Sequence, residues 1–157
     1  MIKKDFIKYF PLIVSVKISA IIIIVNYFAF KSSLYWKIYW LDMAVHFLGG
    51  LALGFLFLYI ITGLKEKGVF LLPKLITFLA ILSFATLGGV LWEIFEYLLR
   101  EFFYPVFTMK RNLIFGEVRY QDTISDLGFD LLGGFLAALL STFYIRYNDY
   151  DAKDKNS

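Results

Sequence analysis

Three aspartates, Asp122, Asp126 and Asp130, open an otherwise apolar segment, YQDTISDLGFDLLGGFLAALL, at residues 120–140. Their i, i+4, i+8 spacing stacks three carboxylates along one face of a helix, over roughly 12 Å of rise. The residues that follow (Leu131, Leu132, Phe135, Leu136, Leu139, Leu140) are those of a membrane span. A carboxylate turned toward lipid costs about 2.5–3.5 kcal/mol near the centre of a spanning helix. These groups must therefore face protein, water or a cation, so the fold has to bring other segments to the same depth. Two segments carry matching groups: Asp42 with His46, and Glu93 with Glu96.

The rest of the chain agrees with a membrane setting. It is 60% hydrophobic, where a soluble domain is nearer about half apolar. The expected fold is all-α, an integral membrane bundle of about four transmembrane helices near residues 10–30, 41–62, 75–101 and 121–147, in a single transmembrane domain over 1–157. The basic residues lie in short clusters between apolar runs. That is the pattern of loops beside membrane helices, not of a nucleic-acid surface, so lipid is the expected partner and nucleic acid is not. With no cysteine there is no disulfide and no thiolate metal site.

The first apolar run, Phe10 to Phe30, follows a basic start. It is longer than the roughly 7–15 residues of a signal-peptide core and lacks a small-x-small cleavage site, so it is expected to remain as the first span. Lys17 within it is expected to snorkel or to touch the bundle. KSSLYWKIYW, at 31–40, reads as an aromatic interfacial belt, and Gly50 with Gly54 forms a G-x-x-x-G pair that allows close helix approach. Pro105 is expected to end the third helix. VFTMKRNLIFGEVRY after it suits either a hairpin or an amphipathic segment lying on the membrane. Lys and Arg number nine around the N-terminus, second loop and tail, against six around the first and third loops. Both termini are therefore expected in the cytoplasm of a multi-pass cell-membrane protein.

Four spans put the start of the second helix, the end of the third and the start of the fourth in one leaflet. Asp42 and His46 are i, i+4; Glu93, Glu96 and Arg100 are i, i+3, i+7; each set lies on a single stripe. Glycines follow on nearly the same stripes (Gly49, Gly50, Gly89, Gly133, Gly134). Six carboxylates, one imidazole and one guanidinium cannot all be buried as bare charges. A divalent cation resolves the conflict, with Asp42, His46, Glu93, Asp122, Asp126 and Asp130 as candidate ligands and Arg100 as charge partner. Oxygen-rich ligation with one histidine favours Mg²⁺, Mn²⁺ or Ca²⁺ over Zn²⁺ or Fe²⁺. Taken singly, His46 also suits a structural role, Asp122 an N-cap, and Glu93 with Glu96 an interfacial pair neutralised by Arg100. Asp126 and Asp130 have no comparable structural account.

Three motifs form a set: LDMAVHFLGG (41–50), WEIFEYLLRE (92–101) and YQDTISDLGFDLLGG (120–134). Together they resemble the VanZ-like proteins and the related YjdF-like bacterial inner-membrane proteins, which share an Asp-x-x-x-His-Phe motif, an acidic motif ending one helix and an Asp-rich start to the last. The resemblance covers residues 41–134 and nothing N-terminal. Glu93, Glu96 and Asp130 depart from the VanZ pattern, which favours the YjdF-like branch. It implies a small multi-span membrane protein and no particular substrate.

Three functions are compatible with such a cluster. One is a metal-dependent enzyme on a lipid or envelope substrate, lipid-linked phosphate for example, with Glu93 or Glu96 as the catalytic base. Another is cation or proton transport, against which the acidic groups stop in one leaflet. The third is a structural staple. The chain lacks the Asp-Gly-x-x-Ala-Arg pattern of phospholipid-head-group transferases and the several histidines of membrane desaturases.

Overall fold

The computed structural model describes the backbone of residues 2–38, 40–69, 72–103 and 115–154, and most side chains between residues 8 and 144. Helix α1 runs Ile2–Lys31, α2 Leu41–Glu66, α3 Lys74–Phe103 and α4 Phe115–Asp154, with a short 3-10 turn at Leu34–Trp36 between α1 and α2. There is no strand among the described residues. Each long helix contains a segment long and apolar enough to cross a membrane: Lys8–Lys31, Leu41–Glu66, Lys74–Leu99 and Tyr120–Tyr144. The fourth has the lowest mean hydropathy of the set, because its first turns carry the aspartates. The expected all-α bundle of four transmembrane helices is thus observed.

The helices outrun their apolar cores. Segment α1 begins well before Phe10 and passes through the buried Pro11, and α4 continues past Tyr147. A bilayer needs only about 20 apolar residues; beyond it, polar residues continue both helices, α1 even across Pro11. Most of the connection expected to form a hairpin or amphipathic segment, residues 104–114, lies outside the described residues, whereas 115–119 belong to α4.

Small residues dictate how α2, α3 and α4 pack. A Cβ added to Gly50 would collide with the main-chain carbonyl of Asp130, one on Gly54 with Ala137, and one on Gly133 with the Phe47 carbonyl. A Cβ on Gly133 would also meet Leu51 N, and from Gly50–Asp130 through Leu51–Gly133 to Gly54–Ala137 the residue numbers rise together, so α2 and α4 run parallel at backbone contact. Both glycines of the G-x-x-x-G pair face α4, as close packing in lipid requires. Against α3 the order reverses: Glu93 meets Thr123, Gly89 meets Asp130 and Ala85 meets Gly134. Helix α3 is therefore antiparallel to both. Helix α1 lies outside this trio, packed mainly on α2. Its buried Ser15 hydroxyl donates to the Ala52 carbonyl at 2.8 Å.

Away from the acidic end the core is apolar: Phe55, Leu58, Ile61, Ile81, Ala137 and Ala138. Phe57 and Phe84 stack with ring centroids 4.4 Å apart, joining α2 to α3, and Phe78 meets Phe135 edge-on across α3 and α4. Lys17 sits exposed on α1. On the rim of this apolar end, Lys8 and Glu66 form an exposed ion pair.

Candidate metal centre

Parallel α2 and α4, with α3 antiparallel against both, bring the start of α2, the end of α3 and the start of α4 to one place. On a wheel of about 100° per residue, Asp42 and His46 share one face of α2 while Asp126 and Asp130 share one face of α4. Glu93 projects from the last turns of α3. His46, Glu93, Asp126 and Asp130 are 4%, 7%, 2% and 3% exposed, so four ionisable groups are withdrawn from both lipid and water.

His46 is the centre of the group. Its Nδ1 is hydrogen-bonded to Asp130 Oδ2 across 2.9 Å. Its Nε2 lies 3.6 Å from Glu93 Oε1 and 4.0 Å from Asp42 Oδ1. The other oxygen of Glu93, Oε2, accepts a 2.9 Å hydrogen bond from the Thr123 hydroxyl. Asp42, His46 and Asp126 each offer one ligand atom, and these atoms all lie within 4.8 Å of one another. Asp126 Oδ1 is buried with no hydrogen-bond partner among the described residues. An unsatisfied buried carboxylate oxygen is costly, and a proton or a cation would each answer it.

Of the residues singled out in the sequence, the fold gathers Asp42, His46, Glu93, Asp126 and Asp130. Asp130 meets the histidine from the opposite ring nitrogen to Glu93 and Asp42. Asp122 is exposed and stands apart from the close triad of ligand atoms. Glu96 is half-buried, nearer the surface, and accepts a 3.0 Å hydrogen bond from the Trp92 indole. The side chain of Arg100, the expected charge partner, lies outside the described residues.

Two contributors escaped the sequence reasoning. Thr123 holds Glu93, and the signal was present: on the helical wheel Thr123 falls within about 20° of Asp130, while Asp122 lies about 80° from it. The stripe Thr123, Asp126, Asp130 is therefore the tighter i, i+3, i+7 set. The other is Tyr35, taken as a belt residue. Its hydroxyl donates to Asn26 Oδ1 at 2.5 Å, and the Asn26 amide donates to the Ile22 carbonyl at 2.9 Å. Burial pushes the Tyr35 phenol up to about 12, with the carboxylates of Asp42 and Glu96 adding to the effect. The turn between α1 and α2 is thus braced beside the acidic mouth by a phenol that stays protonated.

No match is found among curated proteins or among solved structures. A family model does match, over residues 2–147, nearly the whole of the four-helix bundle and every residue of the cluster. The chain belongs to the family described as "Predicted membrane protein (DUF2238)".

Proposed function

We propose that this integral membrane protein binds a divalent metal ion between α2, α3 and α4, and uses it to act on a lipid or envelope substrate. The observation that carries the proposal is the approach of Asp42, His46 and Asp126 ligand atoms to within 4.8 Å of one another, with Asp126 Oδ1 buried and without a hydrogen-bond partner among the described residues. One imidazole and two carboxylates suit Mg²⁺, Mn²⁺ or Ca²⁺, with Zn²⁺ or Fe²⁺ tolerated by the histidine. Glu93, 3.6 Å from His46 Nε2, is either a further ligand or the general base, and Glu96 lies one turn nearer the surface. A bound ion would polarise a phosphate or activate water. Glu93, held by Thr123, would then take the proton from the attacking group.

The three motifs support placing the chain on the YjdF-like side of the VanZ-like proteins. The excess of basic residues around the N-terminus, second loop and tail supports a cytoplasmic position for both termini, with the acidic mouth opening toward the envelope side. Transport is the weaker proposal, because the buried polar groups named above give way to Phe55, Leu58 and Ile81 deeper in the bundle.

Purified protein is tested with Mg²⁺ or Mn²⁺ against phospholipid and polyprenyl phosphate substrates. The enzymatic proposal expects phosphate release or transfer that is abolished by a chelator and by Glu93→Gln. Metal binding with no turnover of either class would reduce the cluster to a staple joining three helices.

A further inference from the structure

Asp130 occupies a place unlike that of the other carboxylates. Its side chain lies between α2 and α3 in a slot that exists because residue 89 has no side chain, while Gly50 lets the Asp130 main chain approach α2. A Cβ on Gly89 would collide with Asp130 Oδ2 and Cγ, and a Cβ on Gly49 would touch Oδ1 at 3.6 Å. A Cβ on Gly50 would strike the Asp130 main-chain carbonyl. The carboxylate is therefore confined, with one oxygen held 2.9 Å from His46 Nδ1.

We infer that Asp130 is a positioning residue and not a ligand: it fixes the His46 ring so that Nε2 is the metal-binding nitrogen. This rests on the metal centre proposed above. In this arrangement Asp130 Oδ2 is the acceptor and the ring proton sits on Nδ1, which donates to it. Nε2 is left to present its lone pair on the side where Glu93 stands at 3.6 Å and Asp42 at 4.0 Å. The close set of ligand atoms comprises Asp42, His46 and Asp126 without Asp130. A carboxylate behind a ligating imidazole sets its tautomer and raises its basicity, and removing such a partner typically weakens metal affinity by roughly 10- to 100-fold. The close approach of Gly89 to the carboxylate and of Gly50 to the Asp130 main chain then has a purpose: it holds the group where it grips the ring from behind.

His46 is the only histidine in the chain, so its ring can be observed without assignment. The full chain is prepared with both histidine ring nitrogens isotopically labelled and loaded with NMR-active Cd²⁺. The expected result is metal coupling to Nε2 and a strongly hydrogen-bonded proton on Nδ1. Asp130→Asn preserves the shape of the side chain; it should shift the Nδ1 proton and weaken Mn²⁺ binding by roughly 10- to 100-fold with the number of ions unchanged. Gly89→Ala displaces the carboxylate without altering its charge and should move both readouts in the same direction. Cadmium bonded to Nδ1, or Mn²⁺ affinity and the Nδ1 proton both indifferent to Asp130→Asn, would overturn the inference. If the unaltered chain binds neither ion, the metal centre itself fails. The Nδ1 proton then decides alone: its shift in Asp130→Asn upholds the positioning of the ring, and its indifference refutes it.

Discussion

The α2–α3–α4 trio has two ends built on different physics. At one end Phe55, Leu58, Ile61, Ile81 and Ala137 fill the space between helices. At the other, His46, Glu93, Asp126 and Asp130 fill it, with glycines letting the backbones close around them. In lipid the apolar end gains little from burial as such, because hydrocarbon outside is as apolar as the core; it gains from close packing. The acidic end carries a cost that pairing, protonation or a cation must offset. One end explains why the helices associate, and the other has a composition that association alone does not need. That asymmetry is why the proposed metal centre is placed at the acidic end.

The sharpest way to break the comparison is to spoil the shared backbone contact. Gly50→Val drives a branched side chain into the Asp130 carbonyl, which cannot rotate away. Destabilisation of about 3 kcal/mol or more is expected, together with loss of metal binding, read from detergent unfolding curves. Next in size is the linkage of metal to stability. At a Mn²⁺ concentration about 100 times its Kd, the unaltered protein should gain about 2.7 kcal/mol, and a chelator should remove the gain. Asp126→Asn should abolish that increment while keeping the fold. Leu58→Ala, at the other end, should cost about 2 kcal/mol by leaving a cavity yet retain the full metal increment. If Leu58→Ala erased metal binding, the two ends would not be separable as described.

Smaller effects come from the rims. The Tyr35 phenol is raised from its ordinary 10 to about 12, so the neutral form is favoured by folding. The stabilisation should be complete below about pH 10 and lost as pH rises toward about 12, where the phenolate forms. Tyr35→Phe should remove this dependence, as monitored by unfolding at graded pH. Smallest of all is the exposed Lys8–Glu66 pair; Lys8→Ala should leave stability and metal binding within experimental error.

Much of this was legible in the residues because a bilayer punishes isolated carboxylates. Once Asp126 and Asp130 are read as intramembrane, Asp42, His46 and Glu93 are the groups at matching depth, and counting spans puts them in one leaflet. Gly50 and Gly54 announced the close contact with α4 for the same reason, since small residues are what permit it. What the sequence did not reveal depends on fractions of a helical turn. Asp122 shares the aspartate periodicity, yet its angle carries it to the exposed side, while Thr123 turns inward to Glu93. Which nitrogen of His46 meets which acid depends on ring orientation, and no spacing encodes that. The polar extensions of α1 and α4 were missed because apolar runs mark the bilayer, not the helix.

The most direct measurement is the metal content of the purified chain beside that of Asp126→Asn, after both are equilibrated with Mn²⁺ and freed of unbound ion. Tightly held metal in the unaltered protein and its absence from a folded Asp126→Asn protein is the predicted result. Equal metal in the two, or none in either, would contradict the account.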